Sequence, residues 1–373
     1  MKKEKNIPLD KKQEGLENHN KSDRRSFLKG SAAVAAGVAG ASLVSSQVAQ
    51  AATEGTLGPA RHVIQVIHEV GPWHLGMDTA CKDFCDMAGW TYQQVATQSS
   101  YNAAGMTKDI SDSMAAKPDV LVTTMPGDGI IDILKEANAS VPYLVINHAF
   151  NDTLVLKEIP DYKGGFTGEI PEISGATVAD GVARELVKQG RKSGVIAIGN
   201  PVPGHEFVGR RANGMRDAVA KVNAEAGAEF TVEEFDDKSI DLAAAVPIYK
   251  SYFRRHGDNL GGFASLGNYP ATAILQAMGE LDIPANKFPI ATIDTAPASN
   301  QAVLDGYILF IYDNQYYAQA AIPVAQAWHY LERSMYALTR YPTGSILDKT
   351  TIGGVIARDE KLYQRAKEAG LVM

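Results

Sequence analysis

Short apolar runs alternate with segments of helical periodicity along most of the chain after residue 60. Residues 62–70 (HVIQVIHEV) and 118–124 (PDVLVTT) are apolar runs of the length of buried strands, whereas residues 75–88 carry apolar side chains near helical spacing. Because such strand–helix–strand units repeat at similar length, the pattern predicts an α/β protein with doubly wound parallel sheets, right-handed crossovers and helices on both faces.

The same pattern places each element along the chain. The predicted strands are residues 62–70, 91–96, 118–124, 142–147, 193–199, 229–234, 262–266, 290–293, 307–312 and, less regularly, 350–357. The predicted helices are residues 75–88, 103–116, 130–139, 173–189, 207–226, 241–255, 271–281, a short one around 302–304, 317–336 and 359–369. Residues 151–171 are polar, contain Gly and Pro and lack periodicity, which indicates a domain crossing with a surface loop.

Two neighbouring strands in residues 288–315 each end on a carboxylate. The apolar run Ile290–Ile293 is followed by Asp294, and residues 307–312 are followed by Asp313. Either side chain could cap the helix that follows it. Ligands collect at the carboxyl ends of parallel strands, so two such carboxylates one connection apart indicate a binding site.

The first 51 residues have the features of an export signal. Residues 1–21 are polar and predicted to be disordered, and residues 22–29 (SDRRSFLK) match the twin-arginine pattern. A weakly apolar run at 30–44 and the small-x-small sequence at 49–51 complete the signal, which places the mature start at Ala52. A membrane helix is disfavoured because the run is short and consists mainly of Ala and Gly.

The mature chain of 322 residues is acidic. Residues 1–51 hold 9 of the 36 basic and 5 of the 43 acidic residues, which leaves 27 basic and 38 acidic residues and a net charge of −11. This charge disfavours binding to nucleic acid or anionic lipid. The length suits two domains, and without a second long apolar segment we expect the mature protein to be soluble.

The sequence carries no pattern typical of a cofactor or metal. Cys81 and Cys85 lie four residues apart on a predicted helix, where a disulfide is geometrically awkward, and we expect both to be buried apolar side chains. No Cys or His spacing of a metal, haem or iron–sulfur site occurs. An exported oxidoreductase remains an alternative, but the first strand leads into Val-Gly-Pro-Trp and not into a Gly-x-Gly-x-x-Gly turn. A hydrolase is disfavoured by the absence of a Gly-x-Ser-x-Gly elbow.

Four stretches in the same order resemble the type I periplasmic solute-binding proteins of ABC importers, in the ribose- and galactose-binding branch. They are the first strand with residues 71–74 (GPWH), residues 117–128 (KPDVLVTTMPGD), the strand at 194–199 with residues 210–215 (RRANGM), and residues 267–275 (GNYPATAIL) with Asp294 and Asp313. The resemblance covers residues 60–354. It implies two similar doubly wound lobes joined by a hinge of several crossings, with residues 58–148 plus 314–342 in the first lobe and 149–313 plus 343–373 in the second.

The resemblance also implies which residues frame the ligand. Proteins recognise a polyol with carboxylates and amides that form hydrogen bonds with its hydroxyls, with an arginine that donates hydrogen bonds, and with an aromatic ring that stacks on its apolar face. The residues that match these roles are Trp73, His74, Asp128 and Asn147 from the first lobe, Arg211, Asn268 and Asp294 from the second, and Asp313 at the hinge. Arg210 and Arg211 face directions about 100° apart on a helix, and the spacing to Gly214 favours Arg211. Asn268 could instead cap the helix that follows it.

The function that the resemblance implies is capture and not catalysis. The two lobes close around a small sugar, polyol or furanose-like molecule by hinge bending and present it to an ABC permease in the inner membrane. We expect a periplasmic monomer without cofactor or metal. A receptor that passes its ligand to a signalling partner is an alternative on the same fold. Trp73-His74 replaces the aromatic pair of the sugar binders and Asp313 stands where they commonly have Gln, so the ligand need not be ribose.

Overall fold

The computed structural model describes residues 58–368 apart from 69–73, 98–101, 150 and 338–339. Within these residues the strands form two six-stranded sheets, with the orders β11-β5-β4-β3-β1-β2 and β12-β10-β9-β8-β6-β7. The first sheet consists of β1 (His62–Ile67), β2 (Thr91–Ala96), β3 (Val120–Met125), β4 (Tyr143–Ala149), β5 (Phe166–Gly168) and β11 (Arg340–Pro342). The second consists of β6 (Ser193–Asn200), β7 (Glu229–Asp236), β8 (Leu260–Ser265), β9 (Ile290–Ile293), β10 (Phe310–Asp313) and β12 (Ser345–Asp348).

Helices connect the strands in regular alternation. In the described part of the chain they are α1 (His74–Ala88), α2 (Ala103–Ala115), α3 (Ile131–Ser140), α4 (Asp152–Glu158), α5 (Pro171–Lys188), α6 (Glu206–Ala226), α7 (Leu242–His256), α8 (Asn268–Glu280), α9 (Pro297–Leu304), α10 (Tyr316–Arg333) and α11 (Ile352–Glu368). All strand pairs are parallel except β10 with β12, which is antiparallel. The predicted α/β architecture with two parallel-sheet lobes is confirmed.

Each sheet has an apolar core on both faces. In the first lobe, Ile64 and Val66 of β1 pack towards α2 and α3, while Val63 on the opposite face packs towards α1 and α10. The second sheet is covered in the same way by α5 and α6 on one face and by α7, α8 and α11 on the other. Successive side chains of a strand point to opposite faces, so a buried parallel strand is apolar at almost every position, which is why these strands could be recognised.

The segment between β4 and α5 differs from its prediction as a loop. Residues 152–158 form helix α4, which the side chain of Asn151 caps by accepting a hydrogen bond from the Leu154 amide at 3.0 Å. Residues 166–168 form β5, a strand of three residues that pairs with β4 on one side and β11 on the other. Both elements are too short to show periodicity and depend on the cap and on their strand neighbours.

The position of β5 moves the first crossing between the lobes. The first sheet continues to Gly168, so the chain passes to the second sheet after β5 and not after Ala149, and residues 151–168 belong with the first lobe. The chain returns between β10 and β11 and crosses again between β11 and β12. The other limits of the two lobes stay a prediction.

The end of the chain is helical where a strand was predicted. Residues 350–357 were expected to be strand-like, but α11 begins at Ile352 and includes Gly353 and Gly354. Ile352 and Val355 are buried in the core of the second lobe, and this packing outweighs the poor helix propensity of two glycines. Farther along the helix, Arg365 pairs with Asp83 of α1 at 2.8 Å, so α11 contacts both lobes.

Candidate functional site

Polar side chains gather where the strands of the second sheet end. Asn268 follows β8, Asp294 follows β9 and Asp313 is the last residue of β10. Since β8, β9 and β10 are parallel neighbours, their carboxyl ends lie along one edge of the sheet. Asn268 is the first residue of α8 and is buried, and the residue at the cap position of that helix is Gly267. The alternative role of Asn268 as a helix cap therefore does not apply.

Arg211 lies at the centre of this group and is 6 % exposed. Its Nε and Nη2 donate to Oε1 of Glu169 at 2.7 and 2.5 Å, and its Nη1 donates to the carbonyl oxygen of Leu266 at 2.7 Å. The guanidinium also stacks over the Phe207 ring, 4.8 Å from its centroid. Burial lowers the pKa of Arg211, but the charges of Glu169 and Asp294 outweigh this effect and raise it, so the arginine is charged and held in one orientation.

Two glycines explain how the sequence brings Arg211 into place. A Cβ atom at Gly175 of α5 would lie 2.0 Å from the carbonyl oxygen of Arg211, and one at Gly214 of α6 would lie 2.1 Å from the carbonyl oxygen of Glu172. Only residues without a side chain allow α5 and α6 to approach so closely. This contact sets Glu169, which lies two residues before the first residue of α5, against Arg211 on α6.

Asp294 is held by residues that follow β10. Its Oδ1 accepts hydrogen bonds from Asn314 Nδ2 at 2.6 Å and from the Tyr316 hydroxyl at 2.7 Å, and its Oδ2 lies 3.9 Å from Arg211 Nη1. The backbone of Asp294 is left-handed, with φ of 72°, which Asp tolerates better than most residues. Burial raises the pKa of Asp294, and the positive charge of Arg211 opposes that rise.

Glu169 is a central residue that the sequence analysis did not identify. Its side chain is fully buried, Oε1 is bound by Arg211, and the Asn314 side chain lies close enough to lower the pKa of Glu169; within the described residues no donor reaches the buried Oε2 with hydrogen-bond geometry. Burial raises the pKa of Glu169 to about 7, against the lowering effect of the Arg211 charge. The residue was missed because it lies in the segment predicted as an irregular loop; the signal that could have marked it is Pro171, which opens α5 at its first position.

A second polar group occupies the crossings between the lobes. Asn147 Nδ2 donates to the carbonyl oxygen of Gln319 at 3.1 Å, and Gln319 Nε2 donates to the carbonyl oxygen of Asn314 at 2.8 Å and to Thr343 Oγ1 at 3.1 Å. Asn147, Asn314 and Gln319 are fully buried, which is unusual for amides that are not interlinked. Asn147 thus lies at the hinge, with its Oδ1 buried and without a hydrogen-bond donor among the described residues.

Asp313 is engaged on both oxygens. Its Oδ1 accepts from the Gln315 amide at 2.9 Å, and its Oδ2 pairs with Arg358 Nη1 of α11 at 2.8 Å. The side chain is 3 % exposed. The contacts of Asp313 therefore join β10 to α11 at the predicted hinge position.

The first-lobe candidates are more widely spread. Trp73 lies outside the described residues. His74 begins α1, is buried, and has its Nε2 3.6 Å from Oδ2 of the buried Asp78. Asp128 follows β3, is exposed, and accepts from Asn151 Nδ2 at 3.1 Å. The structure brings Arg211 and Asp294 together, and it places Asn268 directly after Gly267, which lies beside both of them.

Two histidines face each other across the lobes. His68 follows β1, and its Nδ1 lies 2.9 Å from Thr124 Oγ1; burial, and next the neighbouring His205, lower the pKa of His68 to about 3. His205 precedes α6 in the second lobe and forms a hydrogen bond with the backbone of Pro126 in the first. The lobes are therefore in contact at the end of β3.

The remaining chemistry of the described residues is limited. Cys81 and Cys85 are free and buried, as predicted. Within these residues no group of three or more His, Cys, Asp or Glu side chains could hold a metal ion. None of the described helices combines the length and apolar content that a membrane crossing requires. The clustered groups at the second sheet are hydrogen-bond donors and acceptors suited to hydroxyl groups.

Comparisons with known families and structures bear on this arrangement. The sequence profile of the periplasmic binding protein domain matches residues 64–334, and that of the TAT (twin-arginine translocation) pathway signal sequence matches residues 21–41. No curated protein matches the chain.

Solved structures show the same fold at low sequence identity. A solute-binding protein of an ABC transporter from Burkholderia graminis, in complex with D-arabinose, is 20% identical, with 78% of this chain and 96% of that chain covered and a TM-score of 0.66. A periplasmic ribose ABC transporter protein from Conexibacter woesei is 18% identical, with coverages of 82% and 97% and a TM-score of 0.65. A periplasmic solute-binding protein from Actinobacillus succinogenes with bound D-allose is 14% identical, with coverages of 79% and 99% and a TM-score of 0.68.

These findings confirm the predicted export signal and the predicted two-lobed fold of sugar ABC solute-binding proteins, and they give no support to an oxidoreductase. The signal directs the protein to the periplasm. The matched family is one of binding proteins and not of enzymes. With 271 of its 373 residues inside the family match, the chain belongs to the periplasmic binding protein domain family.

Proposed function

We propose that this protein captures a small, uncharged polyhydroxylated ligand between its two lobes and delivers it to an ABC import permease in the inner membrane. The observation that carries the proposal is the group formed by Arg211, Asp294 and Asn268 at the carboxyl ends of β8 and β9, with Tyr316 reaching Asp294 from the hinge. Fixed carboxylate and amide groups of this kind bind paired sugar hydroxyls, at roughly 1.5–3 kcal/mol for each charge-assisted hydrogen bond.

In this proposal the second lobe provides the fixed part of the site. Oδ2 of Asp294 accepts from a ligand hydroxyl, because Oδ1 is already used by Asn314 and Tyr316. Asn268 offers an amide at the start of α8, and Arg211 places positive charge beside both carboxylates. A site that is ordered before the ligand arrives loses little conformational entropy on binding.

The first lobe then completes the enclosure. Trp73 stacks on the apolar face of the ring, with His74 and Asp128 beside it, and Asn147 and Asp313 lie at the hinge about which the lobes turn. Closure over the ligand creates a surface shared by both lobes, which the permease recognises. The protein acts as a monomer and performs no chemistry on its cargo.

The solved relatives support the ligand class. The proteins with D-arabinose and D-allose bound share the fold, and both ligands are uncharged polyols. A thermal-shift screen of the chain from Ala52 against pentoses, hexoses and inositols tests the proposal, because a ligand that binds only the folded form raises the melting temperature. We expect at least one uncharged sugar or polyol to raise it. A rise with amino acids or organic acids alone would overturn the ligand class.

A further inference from the structure

One oxygen of Glu169 has no hydrogen-bond donor among the described residues. Oε1 receives two hydrogen bonds from Arg211, whereas the buried Oε2 receives none from the part of the chain that the structure describes. The side chain has no exposed area. An unpaired buried carboxylate oxygen is costly, so its presence beside a binding cleft points to a donor that arrives with the ligand.

The charges around this oxygen are unequal. Arg211 contributes one positive charge, and Glu169 and Asp294 contribute two carboxylates within its reach. Two other arginines lie near this group and are already paired: Arg340, which lines a small cavity with Glu169, pairs with Asp152, and Arg358 pairs with Asp313 and Asp359. At pH values above 7, where Glu169 is ionised, the buried group of Arg211, Glu169 and Asp294 therefore carries an excess of one negative charge.

The single positive charge of Arg211 is already shared with the two carboxylates of Glu169 and Asp294. Its Nε and Nη2 donate to Glu169 and its Nη1 donates to the Leu266 carbonyl, so each guanidinium nitrogen is already directed at a protein oxygen. Nη1 and Nη2 each keep one further N–H, which lies beside these carboxylates, and the acceptors left for a ligand are Oε2 of Glu169 and Oδ2 of Asp294 when both are ionised. Hydroxyl groups can donate to them, whereas an ionised carboxylate or phosphate cannot.

We propose that Glu169 binds the ligand directly through Oε2 and that, with Asp294, it makes the site select an uncharged polyol over the same polyol bearing a carboxylate or phosphate. This inference rests on the proposed function and adds to it a residue and a rule of charge selection. The excess negative charge repels an anionic group in a buried site where water screens it poorly. We expect discrimination of about 100-fold or more against the anionic member of each pair, the size typical of a like charge placed without a partner.

Titration calorimetry with matched pairs tests this directly. The probes are D-ribose with D-ribose 5-phosphate, D-galactose with D-galacturonate, and myo-inositol with its monophosphate, each titrated into the chain from Ala52 at about pH 8, above the pKa of about 7 of Glu169. The uncharged member should bind at least about 100-fold more tightly than its anionic partner in any pair that binds. This comparison needs only the wild-type protein, so it does not depend on whether a variant folds.

Variants then assign the selection to Glu169. E169Q keeps the shape of the side chain and removes its charge. It should lower the affinity for the uncharged ligand by about tenfold and reduce the difference in affinity between this ligand and its anionic partner. E172Q is the matched control, because Glu172 lies one turn on, is 43% exposed and pairs with the adjacent Arg210 at 2.6 Å. It should leave both affinities unchanged.

The outcomes separate this inference from the proposed function. Equal affinity for charged and uncharged partners, or an E169Q protein with the wild-type affinities, would overturn the role of Glu169 while sugar capture stands. Failure of every uncharged sugar and polyol to bind would overturn the proposed function and this inference with it.

Discussion

The hydroxyl of Tyr316 donates a hydrogen bond to Oδ1 of Asp294 at 2.7 Å. Tyr316 begins α10, which packs on the first lobe beside α1, whereas Asp294 directly follows β9 of the second sheet. The pair therefore joins the two lobes at the place where the proposed ligand binds. It also turns the other oxygen of Asp294 towards Arg211 and the cleft.

Removing that hydroxyl tests how far the tyrosine orients the site. We expect Y316F to weaken ligand binding by about tenfold or less, since the bond of the hydroxyl to the charged Asp294 and the one it accepts from Asn314 at 3.2 Å are lost, while the ring stays in place. Titration calorimetry measures the change. Y363F, which removes a hydroxyl from a side chain that is 52% exposed on α11, should bind as the wild type does. Equal losses in both variants would show that Tyr316 does not position Asp294.

The close approach of α5 and α6 depends on glycine. A Cβ atom at Gly175 would lie 2.0 Å from the Arg211 carbonyl oxygen, so G175A must separate the helices and should lower the free energy of unfolding by roughly 1–3 kcal/mol. Because Arg211 moves with the contact, ligand affinity should also fall.

Gly209 on α6 is the control position. A Cβ atom there would have no other atom within 4 Å, so G209A should instead stabilise the protein by up to about 1 kcal/mol. Denaturant unfolding of both variants checks this, and a G175A protein as stable as the wild type would contradict the packing described.

Glu169 gives the protein a pH-dependent stability. Its folded pKa is about 7, above the ordinary value of 4.5, so between these values the folded state binds a proton that the unfolded state does not. The stability contributed by this group is therefore present below pH 4.5 and is lost as the pH rises through 7. Buried His68 acts with the opposite sign, since its pKa is lowered to about 3 and its protonation is disfavoured in the folded state.

The comparison of wild type with E169Q isolates the glutamate from the histidines. Urea unfolding at several pH values between 4.5 and 8 should show the wild type losing stability relative to E169Q as the pH rises, by roughly 1–3 kcal/mol in all. A difference between the two proteins that stays constant with pH would rule out a raised pKa at Glu169.

Arg358 and Arg365 on α11 make ion pairs of different burial. Arg358 binds Asp313, whose side chain is 3 % exposed, whereas Arg365 binds Asp83, which is 23 % exposed. R358A leaves a buried carboxylate without its partner and should cost roughly 1–3 kcal/mol of stability. R365A should cost clearly less because water replaces the lost partner. Thermal unfolding of the two variants checks the order, and a larger loss in R365A would contradict it.

The sequence predicted the fold where elements are long or fully buried. Strand Ile290–Ile293, which is buried at every position, is observed with the predicted limits, because its apolar run and flanking residues define it locally. Helix α4 and strand β5 were not predicted, since they depend on a cap and on strand pairing that no periodicity reveals. The start of α11 was taken for a strand because Gly353 and Gly354 disfavour a helix that tertiary packing stabilises.

The candidate site was predictable in part for a similar reason. Asp294 and Arg211 could be proposed because strand ends and the spacing to Gly214 are local features, and the two lie together in the structure. Glu169 and Tyr316 could not, because each reaches the site from a different crossing of the chain. Their roles follow from how the lobes meet, which a single sequence does not encode in any local pattern.

The most direct measurement is titration calorimetry of the best uncharged ligand from the thermal-shift screen into wild type and D294A. Asp294 supplies charge-assisted bonds from a fixed carboxylate, so D294A should bind about 100-fold more weakly or worse. D305A, which removes an exposed carboxylate after α9, should bind as the wild type does. Wild-type affinity in D294A would contradict ligand capture at the carboxyl ends of the second sheet.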